Sequence, residues 1–406
     1  ASARRAAGAE PAPVLFVHSG RDWIRGSERC LLDLIARVDR ARFAPVLACD
    51  SLVLAREAAA LGAVTEVVPA WQAGWRPPVA QLRRVWHLVR THSVRLVHAN
   101  NLIPLPSILP AARARGIPVV THVHLMITPT ERLHSWLHQA SAVVGVSRHV
   151  VAGLLDDGMP AERVRVVYNG VDRERLSRGD ARGLRAALGI APDAFVVTVT
   201  GSLIAIKGQR VVLDALAGLR EAGVDAHALF IGDGEERGAL EAHAAARGLV
   251  RAATFLGERG DVGAVLRDAT DVAVTASRME AFPLNVLEAQ WAGVPVVASD
   301  IPAHREGVAA GETGLLFPGD DAHALAAALA QLARDPDSRR AMGARGHRRI
   351  ESAFTVERYV AEFEALYEEL LATGRHAHGW RAASWPPVYR RWLGGAVRRR
   401  LGRPAA

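Results

Sequence analysis

Lys207 is the single lysine among the 50 Lys and Arg residues of this 406-residue chain. Arginine is a planar fork with five donors, whereas lysine is a compact charge on a thin stem, so a narrow loop distinguishes them. Lys207 stands in such a loop: the apolar run 195–199 breaks into Gly201-Ser202-Leu203, and Gly208 follows before a helical stretch. A glycine-bearing loop between a strand and a helix is where α/β proteins hold phosphate, on free backbone N–H groups and an added cation. Gly201, Ser202 and Lys207 are therefore candidates for a phosphate-binding loop.

A second group lies at 277–299. Glu280 lies in the loop after the apolar run 272–275, Pro283 marks the start of a helix, and Glu288 sits about one turn further in. Proline is favoured in a first helical turn, where its missing N–H costs nothing. The N–H groups of Leu284, Asn285 and Val286 then lack intrahelical acceptors and sit at the positive end of the helix dipole. Such amides, with Lys207, suit a diphosphate, while the two carboxylates can accept hydrogen bonds from the hydroxyls of two sugar rings. The combination suits a nucleotide sugar. Leu284, Leu287 and Trp291 are expected to form the apolar stripe of this helix, with Glu288 beside it.

Two further motifs fall at predicted strand ends. Gly26-Ser27-Glu28 opens a helix, with Ser27 as its cap, and exposes backbone N–H groups to an anion or a sugar. In Thr121-His122-Val123-His124, alternation puts both histidines on one side of a strand. There a histidine can bond a sugar hydroxyl or meet developing charge. No cysteine or carboxylate accompanies the pair, so no metal site is assigned. Gly232-Asp233-Gly234 lacks the third glycine and the acidic partner of a dinucleotide fingerprint. Asp335-Pro336-Asp337 reads as a helix cap.

The elements that must position these residues alternate almost throughout. Short Val/Ile/Leu/Phe-rich runs, which suit strands buried on both faces, lie at 14–17, 45–48, 64–68, 94–98, 118–121, 142–146 and 164–167. A polar, Arg-rich break follows, then a second series at 195–199, 228–231, 254–256, 272–275, 294–298 and 314–317. Helical stripes such as Leu31, Leu34, Ile35 and Val38 separate them. The expected fold is α/β, with two Rossmann-like doubly wound domains facing a cleft. The expected boundaries are a disordered leader at 1–12, domains at 13–175 and 176–354, a helix at 355–372 and a basic tail at 373–406.

Half of the residues are apolar, enough to bury two cores, and no apolar run of about 18 residues exists to span a bilayer. No secretory pattern is present, and Cys30 and Cys49 read as small buried residues in a reducing, cytoplasmic setting. The net charge of +8 gathers at the end: from 371 onward there is no Asp or Glu, and Trp380, Trp385, Tyr389 and Trp392 interleave with arginines. That mixture suits an anionic membrane surface rather than nucleic acid, so peripheral attachment to the inner face of the membrane is expected.

Taken in order, these motifs resemble the retaining glycosyltransferases of the GT-B fold, family 4. The resemblance runs through Gly26-Ser27-Glu28, Val97-His98-Ala99-Asn100, 121–124, 166–172, 201–208, 230–234, 255–257, the Glu280/Glu288 pair and 311–318. It implies transfer of a sugar from a nucleoside diphosphate sugar, with retained configuration, no bound metal and no cofactor. It implies that Lys207 neutralises the departing diphosphate, Glu280 holds the donor sugar, Glu288 the ribose, and the amides of Leu284, Asn285 and Val286 the β-phosphate. His124 would lie near the reacting sugar, and the helix at 355–372 would cross back to the first domain. Ser202 departs from the pattern, because many members carry arginine there as a second cation. A sugar-nucleotide epimerase or hydrolase and a silent sugar-nucleotide-binding subunit are the alternatives. The tail favours a lipid-linked or cell-envelope glycan as acceptor.

Overall fold

The apolar runs read in the sequence become two parallel sheets, one of seven strands and one of six. The computed structural model describes residues 10–72 and 77–374. Most of the expected leader and nearly all of the basic tail lie outside these residues. The first sheet comprises β1 (Ala12–His18), β2 (Phe43–Cys49), β3 (Val64–Val67), β4 (Leu96–Ala99), β5 (Val119–Val123), β6 (Ala142–Gly145) and β7 (Val164–Val166). The second comprises β8 (Phe195–Thr200), β9 (Ala226–Ile231), β10 (Ala253–Gly257), β11 (Val272–Thr275), β12 (Val296–Ser299) and β13 (Gly314–Phe317). Ala12, expected in the leader, instead opens β1 opposite Phe43 and is fully buried.

The strand orders are β3-β2-β1-β4-β5-β6-β7 and β10-β9-β8-β11-β12-β13. In each sheet the chain starts in the middle, builds outward, then returns to build the other way. The reversal falls between β1 and β4, and between β8 and β11. Loops leaving the carboxyl ends of such neighbours diverge and leave a crevice, which is where doubly wound sheets bind ligands. The central strands are largely apolar and buried, as suits strands covered on both faces, whereas the edge strand β3 (Val64-Thr65-Glu66-Val67) is part-exposed. Phe16, Leu15 and Leu47 are fully buried in the first unit, and Phe230, Val197 and Leu213 in the second.

One unit runs to Tyr168 and resumes at Tyr359, and the other is Asn169–Arg358. The expected joint at 175/176 is thus displaced: residues 169–175 belong with the second sheet. The reason is a tight crossing, in which Val171 bridges to Thr355 and its N–H donates to Phe354 O at 2.8 Å. A Cβ on Gly170 would sit 2.5 Å from Thr355 O, so only glycine permits that approach. The same crossing anchors the start of the helix Val356–Thr373, whose remainder belongs to the first unit. There Tyr359 Oη donates to Cys30 O at 3.2 Å, Tyr367 Oη lies 2.6 Å from His98 Nδ1, and Arg42 pairs with Glu364 and Glu368. Phe363 is fully buried between them. Cys30 and Cys49 are buried cysteines.

Candidate functional site

The loops after β8 and β11, neighbours at the reversal of the second sheet, hold the two strongest sequence candidates. After β8 the chain turns at Gly201 (φ 129°) and ends the loop at Gly208 (φ 67°), which caps the helix Gln209–Glu221. A Cβ on Gly208 would lie 2.2 Å from Ala276 O, just past β11, so the two loops press together at a point without side chains. Arg278 N–H then donates to Ile206 O at 2.9 Å. Held this way, Lys207 Nζ donates to Glu280 Oε1 at 2.5 Å, and Ser277 Oγ donates to the same oxygen at 2.7 Å. Side-chain exposure is 28% for Lys207 and 13% for Glu280, so the pair is shielded yet reachable.

Gly232-Asp233-Gly234, set aside in the sequence as a failed dinucleotide motif, has a structural task here. Gly232 (φ 137°) comes so close to the Lys207 loop that a Cβ would sit 2.1 Å from Gly201 O, and one on Gly234 2.3 Å from Leu203 O. Leu203 N–H donates to Asp233 O at 2.9 Å, and Gln209 Nε2 to Ser202 O at 2.8 Å. The Lys207 loop is therefore clamped from the β9 side. Ser202 is half-buried, and Lys207 remains the one cation in 201–208.

The helix Leu284–Trp291 has Pro283 in extended conformation as its N-cap and no capping side chain. The first N–H groups, at Leu284 and Asn285, thus have no intrahelical acceptor. Val286 differs from expectation: its N–H donates to Asn285 Oδ1 at 3.0 Å, which leaves two amides rather than three for an anion. Asn285 Nδ2 donates to Thr200 O at 3.1 Å and ties the helix start to the end of β8. The buried side of the helix is Val286, Leu287, Ala289 and Gln290, whereas Leu284 and Trp291 are only half-buried. The expected stripe is rotated because Gln290 is drawn inward, with Nε2 donating to Gly307 O at 2.9 Å. Glu288 is half-buried and accepts from Arg175 Nη2 at 2.9 Å, a partner the sequence reading did not anticipate.

In the first unit the corresponding reversal, β1 beside β4, brings His18 next to Asn100, with His124 arriving from the end of β5. His18 Nε2 is 3.0 Å from Glu28 Oε1, and His124 Nε2 is 3.0 Å from Asn100 Oδ1. His122 and His124 share a side of the sheet, their ring centroids 3.9 Å apart. They differ in use: both nitrogens of His122 are buried without a hydrogen-bond partner among the described residues, and its ring packs 4.9 Å from Phe363. Burial holds His122 well below the ordinary imidazole range and lowers His124 to about 3, so both are neutral at pH 7. Burial works against ionisation of Glu28 too, but the His18 hydrogen bond and backbone N–H groups outweigh it and hold the carboxyl at about 2.

Gly26 is exposed and begins the helix Gly26–Arg37, but the cap is not Ser27. Arg25 is the N-cap, Ser27 lies inside the first turn, and Glu28 accepts from Arg25 N–H at 3.1 Å and from Ser27 Oγ at 3.1 Å. A buried carboxylate thus takes the serine's expected place. Glu28 and Asn100 were legible only within the 26–28 and 97–100 motifs, and His18 was not; nothing local marks the three as one cluster.

Residues 180–349 match the family described as Glycosyl transferases group 1, and residues 24–175 match Glycosyltransferase Family 4. The chain is 40% identical over 191 residues to D-inositol 3-phosphate glycosyltransferase of Corynebacterium urealyticum, covering 44% of this chain and 45% of that protein. It is 31% identical over 293 residues to D-inositol 3-phosphate glycosyltransferase 1 of Catenulispora acidiphila, covering 65% of this chain and 69% of that protein. The chain therefore spans less than half the length of the first relative and just over two thirds of the second. Among solved structures, Anabaena HepE in complex with UDP superposes with a TM-score of 0.78 at 25% identity, over 88% of this chain and 100% of that one.

Proposed function

Because this chain belongs to the family 4 glycosyltransferases of the GT-B fold, we propose that it transfers a sugar from a nucleoside diphosphate sugar to an acceptor hydroxyl, retaining the anomeric configuration and using no bound metal. The observation that carries this reading is the 2.5 Å contact of Lys207 with Glu280 in loops that meet beside the uncapped helix Leu284–Trp291. UDP in the HepE structure supports a nucleoside diphosphate as the ligand class.

In this proposal Lys207 faces the departing diphosphate, and the N–H groups of Leu284 and Asn285 bind its β-phosphate. Gly201 and Ser202 allow close backbone approach. Glu280 accepts a hydrogen bond from a donor-sugar hydroxyl, and Glu288, steadied by Arg175, accepts one from the ribose. In the first unit, His124 bonds the reacting sugar and the backbone at Gly26 bonds substrate oxygen. The acceptor oxygen bonds to the anomeric carbon on the face from which the diphosphate leaves, the carbon–oxygen bond to phosphate breaks, and the hydroxyl proton passes to the departing phosphate oxygen. Fixed dipoles and one cation aimed at that developing charge supply the protein's main contribution. The acceptor is a lipid-linked or cell-envelope glycan, a reading supported by the Trp- and Arg-rich tail, which lies outside the described residues. Among the described residues no helix is long and apolar enough to cross a membrane.

A thermal-shift panel of UDP-, ADP- and GDP-sugars tests the donor class. A ligand at a hundred times its Kd should stabilise the protein by about 2.7 kcal/mol, and Lys207→Ala should abolish most of that gain. Absence of stabilisation by every nucleoside diphosphate would defeat the proposal. Proton NMR of the product reads the anomeric outcome, and turnover in EDTA reads the metal requirement. Ser202 favours one competing reading, a subunit that binds the donor without turnover; binding with no product from any acceptor pool would establish it.

A further inference from the structure

At the carboxyl edge of the first sheet, four side chains are joined end to end. Exposure is 5% for Glu28, 2% for His18 and 0% for Asn100, while His124 is half-buried. His18 Nε2 lies 3.0 Å from Glu28 Oε1. Asn100 Nδ2 lies 3.1 Å from His18 Nδ1 and 3.2 Å from Ser27 O, and Asn100 Oδ1 lies 3.0 Å from His124 Nε2.

Hydrogen-bond chemistry assigns every proton along this line. A carboxylate only accepts, so His18 Nε2 donates to Glu28. The Ser27 carbonyl only accepts, so the amide nitrogen of Asn100 must face it, which fixes the side-chain orientation. Its second hydrogen points to His18 Nδ1, which therefore accepts. Asn101 Nδ2, held by Ser19 O at 2.6 Å, faces the same Nδ1 at 3.5 Å and enforces that role. Asn100 Oδ1 is left to accept, so His124 Nε2 donates. A neutral imidazole with its proton on Nε2 has its lone pair on Nδ1.

We propose that Glu28, His18 and Asn100 are a positioning relay that locks His124 in the Nε2–H tautomer, so that Nδ1 is presented as an acceptor to a hydroxyl of the sugar substrate. Only this last step rests on the sugar-transfer reading. None of the three relay residues needs to touch substrate. The packing around them is tight: a Cβ on Gly20 would sit 2.7 Å from His18 Nε2 and 3.3 Å from Glu28 Oε1, so the chain passes the His18–Glu28 contact as glycine.

The test uses the full chain labelled with 15N-histidine, with His124 assigned by the spectrum of His124→Gln, together with steady-state turnover. In the wild type at pH 7, His124 should show a protonated Nε2 and a bare Nδ1. Asn100→Leu removes both inner links of the relay. Glu28→Gln, an isosteric change, serves if Asn100→Leu melts early, because its amide can donate to His18 and reverse the line. Each folded variant should show a mixed or reversed His124 tautomer, and kcat should fall about ten- to a hundredfold, the scale known for partners that orient metal-binding histidines. A merely structural role would leave the tautomer unchanged. An Nδ1–H tautomer in the wild type, wild-type tautomers in both variants, or a changed tautomer with unchanged kcat would each overturn the relay. A wild type that transfers no sugar defeats the function proposed above, and the tautomers then decide the relay by themselves.

Discussion

Replacing Lys207 with methionine keeps the apolar stem and removes the charge. At about 4 Å and an effective dielectric near 20, a unit charge pair is worth about 4 kcal/mol. With each 1.36 kcal/mol corresponding to a factor of ten, that sets a ceiling of about 10³ in rate. Lys207 is 28% exposed and already faces Glu280 at 2.5 Å, so part of its field is screened or answered by the carboxylate. A fall of about 10²–10³ in kcat is expected, the range for losing one preorganised charge-stabilising donor. Because Ser202 leaves the loop with no second cation, no neighbour on 201–208 can compensate. The assay is nucleotide release at saturating donor, with the melting temperature as a folding control. Folded Lys207→Met with kcat within about threefold of wild type would refute the reasoning. Among the described residues, Lys207→Met also leaves the Glu280 carboxylate with the Ser277 hydroxyl as its one side-chain hydrogen-bond partner, at a cost of about 1–3 kcal/mol. Adding Glu280→Gln should recover part of that stability without recovering rate, a non-additivity that a double-mutant cycle reads directly.

Other outcomes follow from the same geometry. Burial lowers His98 and His124 to about 3, His138 to about 4 and His122 well below 6.5, so the unfolded chain binds more protons than the folded one from about pH 6.5 downward. Stability present above pH 6.5 should therefore be lost progressively as pH falls below it. Urea unfolding between pH 7 and 4 checks this, and a flat profile contradicts it. Gly208→Ala, at φ 67° with its Cβ 2.2 Å from Ala276 O, should lower stability by about 2 kcal/mol or more and blunt stabilisation by nucleotide. Glu288→Gln should raise the donor KM several-fold with little change in kcat, since a ribose contact is made equally in ground and transition states. A version ending near residue 371 should lose sedimentation with anionic vesicles that the full chain shows; equal behaviour of the two would remove the membrane proposal.

Much was legible locally. Strands covered on both faces are mostly apolar, and all the runs read from the sequence reappear in the two sheets with ends shifted by a residue or two. Capping was less legible, because a side chain from within the first turn can replace the residue in front of it, as Glu28 replaces Ser27. The helix at 284–291 shows the same weakness: a polar Gln290 with a buried acceptor outweighs Trp291 in setting the inward face.

Composition and periodicity alone thus determined the alternating elements, the two series of strands and the residue types able to meet a phosphate or a hydroxyl. Those properties reside in neighbouring residues and the face each presents. Which loop meets which was decided only by the tertiary structure. Lys207 reaches Glu280 because β8 lies beside β11, and His18 reaches Asn100 because β1 lies beside β4. Strand order is a long-range pairing, governed by how the helices cover the sheet and where backbones touch through Gly208, Gly232 and Gly170. No local pattern encodes it, because the partners are chosen by the packing of the whole unit.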